Sequence, residues 1–232
     1  MSQQKRVLVF GGTGQTGQHF VRLALKDGLR VRALARNPAK FGMTDPNLEV
    51  IQGSITSVPD LDALVAGADF VVSMLGNAAE QREHTIVADL VRELVPAMRR
   101  TGVSRFLHQA GGLSARPHRR LPLVLWIIRH TIARGFDGQH RDNEAVMRYL
   151  ADEANDIEWM VHRAGIGSDG PSQGVLQRSQ RAISIATFQD CAAYNLRTVQ
   201  DATAIHTCDG SRYANRVAAL ENVDKRQLDS VK

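Results

Sequence analysis

The stretch VLVFGGTGQTG, residues 7–17, decides the fold class of this 232-residue chain. A short apolar strand runs into glycines at 11, 14 and 17, and a helical pattern follows. A strand that ends in a tight glycine turn and opens a helix presents unpaired backbone N–H groups, at the positive end of the helix dipole, to a phosphate. Gly11 permits the sharp turn, Gly14 leaves room for a pyrophosphate against the backbone, and Gly17 lets the helix pack close to the strand. Thr13, Gln15 and Thr16 add polar atoms beside that cradle. A glycine triplet alone is a weak signal. Here it closes the first strand of the chain and precedes helical periodicity, which is the context the motif requires. The plain alternative is an ordinary glycine-rich turn.

Strand and helix patterns then alternate. Strands are expected at Arg6–Phe10, Arg30–Ala35, Leu48–Gln52, Ala68–Leu75, Ser104–Gln109 and Glu158–Arg163. Helices are expected at Gln18–Lys26, Asp60–Ala66, Glu83–Arg100 (with Pro96 in its last turns) and Gln139–Asp152. This order predicts an α/β fold, a doubly wound parallel sheet of the Rossmann type with helices on both faces. The chain reads as one NAD(P)-binding domain over 1–232, with a cofactor half at 1–110. A small C-terminal substrate-binding region falls within the substrate half, 111–232. The segment Leu121–Ala133 is apolar on more than one side and predicts a buried helix, a lid or an oligomer contact. Arg163–Ser179 reads as a loop, Ile183–Ala186 as a strand, Asp190–Val199 as a helix and Ala204–Thr207 as the last strand. The tail from about Asp224 reads as loose.

Composition excludes several classes. Cys191 and Cys208 have no metal spacing and suit a reducing compartment. No metal site is expected. The longest apolar run, Leu121–Ile128, is far short of the ~20 residues that span a bilayer. The N-terminus runs straight into the first strand without a signal segment, so a cytoplasmic chain with no membrane partner is expected. The net charge is +5, and six arginines against one acid between Ala115 and Arg141 account for all of it. A solvated face, an interface, an anionic small-molecule substrate and nucleic acid are the readings of that stripe. No nucleic acid is expected, because no stacking aromatics are interleaved with the arginines. Either a monomer or a homodimer is consistent with the sequence.

The end of the second strand selects the cofactor. An NAD site usually places a carboxylate there for the ribose 2′-OH. This chain has RALARNPAK at 32–40 and no acid until Asp45. A 2′-phosphate is matched by an arginine fork, so NADP(H) is expected, with Arg36 its main contact. Ser54 and Ile55, after the third strand, border the expected adenine position. Leu75 and Gly76, after the fourth, face the crevice.

At these residues the chain resembles the atypical short-chain dehydrogenases, the NAD(P)H-binding, NmrA-like group that includes flavin reductase/biliverdin IXβ reductase. The resemblance rests on the G-x-x-G-x-x-G turn, the Ala-Arg-Asn-Pro at 35–38 and the Leu-Gly at 75–76. It also rests on a stretch beginning His140-Arg141-Asp142-Asn143, similar to a helix that opens with a pocket histidine. The strand IEWMVHRAG resembles one that ends Arg-Pro-Gly near the nicotinamide, with Ala164 in place of proline. The resemblance implies that Gln109, Ala110, Arg163 and Ala164 lie beside the cofactor, and that His140 is the catalytic residue or substrate contact. His108 reads as a core histidine. Asp169 is open between a substrate contact and loop polarity.

Two departures stand out. None of Tyr149, Tyr194 and Tyr213 is followed four residues later by lysine, so the usual Tyr-x-x-x-Lys pair is absent. The first serine after the fifth strand is Ser114, displaced from its expected place. The leading expectation is an NADPH-dependent reductase of a flavin, quinone, enone or secondary-metabolite intermediate. The alternatives are an NADP(H)-sensing regulatory protein and a non-redox isomerase or lyase on the same scaffold.

Overall fold

A computed structural model describes residues 4–58 and 60–214. Its strands are β1 (Arg6–Phe10), β2 (Arg30–Ala35), β3 (Leu48–Gln52), β4 (Phe70–Ser73), β5 (Arg105–Gly111), β6 (Glu158–Ser168), β7 (Leu176–Ser179), β8 (Ile185–Thr187) and β9 (Thr207–Tyr213). Its helices are α1 (Gln15–Lys26), α2 (Leu61–Val65), α3 (Ile86–Thr101), α4 (Leu123–His130), α5 (Asp137–Glu153) and α6 (Phe188–Gln200). The sheet order is β3-β2-β1-β4-β5-β6-β9-β7, with β8 pairing to β6. The winding reverses between β1 and β4, and ligands bind in such crevices outside the carboxyl ends of the strands.

Both faces of β1 are buried, as a central parallel strand requires. Leu8 and Phe10 pack with α2, α3 and α5, while Val7 and Val9 pack with α1 and α6. The alternation follows from the two-residue period of a strand.

Three strands fall where the sequence places them, and several other elements do not. α1 begins at Gln15, three residues early, because Gly14 is already its extended cap and its N–H bonds the Gly11 carbonyl. β4 is shorter than expected, since Asp69 turns aside to accept a hydrogen bond from the Arg6 backbone N–H. α3 begins at Ile86, after a 3-10 turn at Glu80–Arg82, and runs through Pro96 to Thr101. The segment expected as a loop after Arg163 instead prolongs β6 to Ser168, where it pairs with β8, and then supplies β7. The last strand lies at Thr207–Tyr213. Residues 202–204 form a 3-10 turn instead. β7 runs antiparallel to β9, so the sheet is mixed at this edge rather than wholly parallel. The expected loose tail lies outside the described residues.

The apolar segment after Leu121 is not a buried helix. In α4, Leu123 is 72% exposed and Trp126 49%, and the one buried residue of the helix is Arg129. Among the described residues, no helix is long and apolar enough to cross a membrane. Nor does any group of three or more His, Cys, Asp or Glu there stand where it could hold a metal ion.

Candidate functional site

The glycine turn forms one wall of a cleft of about 490 Å³ at the β1/β4 reversal. Gly11 has φ +81, and a Cβ there would lie 2.6 Å from the Met74 carbonyl oxygen. A Cβ on Gly17 would run into the Gly11 carbonyl oxygen, so this glycine is required by the close helix–strand approach. Thr13 and Gly14 line the cleft beside Gly11, and Arg36, Ser54, Ile55, Leu75 and Gly76 complete its walls. Thr16 sits behind the turn, buried, within 3.5 Å of Gln109 Nε2. A turn in which Gly11 and Gly17 leave no room for a β-carbon presents bare backbone, which is what a pyrophosphate needs.

Arg36 stands at the expected 2′-phosphate position, 64% exposed, and donates from Nη1 to Glu80 Oε1 at 2.6 Å. The carboxylate absent from the end of β2 thus arrives from the 3-10 turn after β4. Arg32 takes no part, since it bonds Glu49 and the carbonyls of Ala63, Leu64 and Ala66 at the end of α2.

A second cavity of about 770 Å³ meets the first at Gly76, which lines both. Its walls are mostly apolar: Leu113, Leu125, Ile128, Phe136, Ile183 and Phe188 among them. Gln15, expected at the phosphates, lines this cavity, and so do Ala164 and His140. Gln109 and Ala110 line neither cavity. Gln109 accepts from Asn195 Nδ2, and it is Gly111, at the strand end, that lines the second cavity. Arg163 also lies away from both. It is buried and donates to the carbonyls of Ser114 and Gly112, thereby shaping the loop after β5.

His140 lies in the first turn of α5, against the end of β5. A Cβ on Gly111 would stand 2.7 Å from its ring, so this glycine makes room for the imidazole. His140 Nδ1 is 3.1 Å from Ser114 Oγ, and both side chains are buried. Burial, followed by the Arg129 charge, pushes the His140 pKa down to about 4. The ring is therefore neutral at pH 7, not a charged acid. The displaced Ser114 is the residue that sequence reasoning did not place, and it reaches the site through this histidine. His108 is a core residue, bonded to Asn143 Oδ1 at 3.1 Å. His162 bonds Asn195 and Ser211. Asp169 pairs with His19 at 3.1 Å.

Two buried residues join the halves of the cleft. Asp142 on α5 accepts from the backbone N–H groups of Val87 and Ala88, the otherwise open first turn of α3. It also accepts from Gln81 Nε2, whose Oε1 accepts from the Asn77 backbone N–H. The run after His140 signals buried polar residues but not their partners. Asp142, Asn143 and Glu144 are polar at positions of α5 that turn inward, where a helix normally carries apolar residues.

Known proteins agree with this geometry. The family described as NAD(P)H-binding matches residues 11–199. The chain is 32% identical over 116 residues to a 3-beta-hydroxysteroid dehydrogenase of Mycolicibacterium neoaurum, across 45% of this chain and 31% of that protein. It is 33% identical over 122 residues to the isoflavone reductase homolog IRL of Zea mays, across 48% and 37%. It thus spans about a third of the length of these curated relatives. Among solved structures, the oxidoreductase ylbE of Lactococcus lactis superposes with a TM-score of 0.75 at 15% identity, over 95% of this chain and 97% of that one. ChuY, described as an anaerobillin reductase of Escherichia coli O157:H7, gives 0.71 at 18% identity, over 91% and 98%. These likenesses show the fold. Matched over most of its length, the chain belongs to the NAD(P)H-binding family.

Proposed function

We propose that this protein is an NADPH-dependent reductase of a small organic acceptor held in the apolar cavity. The observation that carries the reading is the junction at Gly76. There a cleft with the glycine turn for one wall opens into an apolar cavity walled in part by His140. The reductases among the relatives and structural neighbours support the same class. NADPH bound in the first cleft supplies the hydride. Gly11, Thr13 and Gly14 hold the pyrophosphate, and Arg36 holds the 2′-phosphate once it has left Glu80.

The rest is done by the chain's own groups. With the Ser114 hydroxyl donating to Nδ1, the hydrogen of the neutral imidazole sits on Nε2. His140 then serves as a hydrogen-bond donor to an acceptor oxygen, and burial keeps it from holding a full proton. Such a weak donor suits acceptors that delocalise the incoming charge and take their proton from water. Quinones, flavins and enones are of this kind, and for them the missing Tyr-x-x-x-Lys pair is no loss. The test is loss of NADPH absorbance with a panel of those acceptors. Turnover with at least one supports the reading. Tight NADPH binding without turnover of any acceptor favours the sensor, and product formation without NADPH loss favours an isomerase.

A further inference from the structure

A third cavity, of about 490 Å³, adjoins the apolar one and shares Leu125 and Ile183 with it. Its chemistry is opposite. Arg116, Arg119, Arg120, Arg163 and Arg181 line it, and no acid does. Arg163 is only 6% exposed, and both hydrogen bonds it makes go to backbone carbonyls, so no carboxylate directly balances its charge. Burial pushes its pKa below the ordinary arginine value, and the Arg116 charge adds to that. Arg116 donates from Nη2 to Gln180 O and Asp209 Oδ1, while its buried Nε has no partner. Arg119, Arg120 and Arg181 are exposed and join none of the ion pairs among the described residues. Five guanidinium groups surround one hollow, and the two carboxylates that act on Arg163, Asp209 and Glu144, are each already paired with another arginine, so the hollow is short of negative charge. A buried cation without a counter-charge is costly, and an anion entering the hollow relieves that cost. Guanidinium forks match the flat, multi-oxygen geometry of carboxylate, phosphate and sulfonate.

We propose that the substrate of this protein is amphipathic, with an apolar acceptor group in the Phe136–Phe188 cavity and an anionic arm that passes between Leu125 and Ile183 into the arginine-lined hollow. The inference rests on the reading of the apolar cavity as the acceptor site, and it adds the substrate class. It also gives a role to Arg116, Arg119 and Arg120, three of the six arginines at 115–141.

The test separates the substrate class from the reaction by measuring binding without turnover. Two fluorescent probes differ by one sulfonate: 8-anilinonaphthalene-1-sulfonate and neutral N-phenyl-1-naphthylamine. The sulfonate probe is expected to bind at least about tenfold more tightly, the scale of one or two charge-assisted hydrogen bonds. In the triple variant Arg119→Gln/Arg120→Gln/Arg181→Gln the two affinities are expected to converge. The exposed position of those three side chains leaves the fold intact. Leu125→Glu, placed at the junction, is expected to weaken the sulfonate probe more than the neutral one. Equal affinities in the unaltered protein overturn the proposal, and so does a preference that survives the triple variant. NADPH oxidation with 1,4-naphthoquinone and its 2-sulfonate is the parallel arm. A probe preference without turnover of either quinone keeps the substrate class and removes the reductase. Turnover of both quinones with equal Michaelis constants and no probe preference does the reverse.

Discussion

The cofactor cleft has bare backbone, the glycine turn, for one wall, and the acceptor cavity is walled largely by side chains. Around the first, Gly11, Gly14 and Gly17 act by having no β-carbon, and their spacing is set within seven residues of chain. Around the second, Leu113, Leu125 and the stretch holding Ile183 and Phe188 come from three separate segments, and His140 comes from a fourth. A site made of absences is written compactly and tolerates little. A site made of side chains is assembled by tertiary packing and can be changed piece by piece. Of three buried histidines, His140 lines the acceptor cavity, and His108 and His162 sit in the core beside it. His108, His140 and His162 all lie on β5, α5 and β6, and burial pushes each down to about 4.

The largest expected effect is on stability, and on the acceptor side. The unfolded chain holds these histidines near 6.5, so between pH 6.5 and 4 it binds more protons than the folded one. Stability is therefore full above about 6.5 and falls as pH drops through that window, by about 1.4 kcal/mol per pH unit for each histidine. Urea midpoints measured at pH 7, 5.5 and 4.5 are expected to fall steeply. A flat series removes the desolvation account of these residues.

The glycines differ among themselves. Gly17→Val drives a side chain into the Gly11 carbonyl and is expected to cost about 3 kcal/mol or more of stability, together with cofactor binding. At Gly14 a Cβ would be 3.2 Å from the same oxygen, a contact that small shifts relieve. Gly14→Val is expected to keep the fold and lose NADPH affinity by ~100-fold, since the branched side chain stands where the pyrophosphate approaches. Thermal melts and cofactor titrations of the pair test this. Equal melting temperatures, or unchanged affinity in a folded Gly14 variant, remove the assignment.

Legibility follows the same division. β1, β2 and β3 fall on their expected residues because short apolar-rich runs and flanking glycines or prolines are local signals. The cap of α3 was unreadable, since its acceptor, Asp142, lies more than fifty residues away. α4 left burial, a lid and an oligomer contact open for a different reason, and the structure removes only the first. LVLWIIRH has no polar stripe, and such a helix normally belongs in a core. Here Leu125 and Ile128 face the cavity while Leu123 and Trp126 face outward. At the second strand the sequence correctly lacked an acid, yet Glu80 enters the site from a distant turn.

His140→Ala is expected to lower kcat by about 10²-fold with NADPH affinity nearly unchanged, if its hydrogen bond strengthens as the acceptor is reduced. Because the ring is neutral above about pH 4, the unaltered protein should show no kcat inflection near 6.5 from this residue. Unaltered kinetics in the variant take His140 out of the site. Ser114→Ala, which leaves Nδ1 without its partner, is expected to give a smaller loss of the same kind.

The smallest effect concerns cofactor choice. Arg36→Ala is expected to weaken NADPH by about 1–2 kcal/mol and leave NADH nearly unchanged. Glu80→Gln, which frees Arg36 from an exposed ion pair, is expected to strengthen NADPH by a few tenths of a kcal/mol up to about 1. Equal affinities of the unaltered protein for NADPH and NADH, measured by titration, reverse the assignment. Glu80 then becomes the candidate partner of a ribose hydroxyl.

α4 is fastened to the body of the protein chiefly by Arg129. Its guanidinium donates to Asp137 at 2.7 Å and to Glu144, and Glu144 also accepts from the Ala115 backbone N–H. Burial works against the Arg129 charge, but Glu144 and Asp137 outweigh it and hold its pKa above the ordinary value. An eight-residue helix has little stability of its own, so this clasp largely decides whether it stays in place. In terms of descent, α4 is an exchangeable panel. A lineage, or an engineer, can rewrite its apolar face and so change what the molecule accepts. The glycine turn stays untouched throughout, provided that one arginine and its two acids are inherited together.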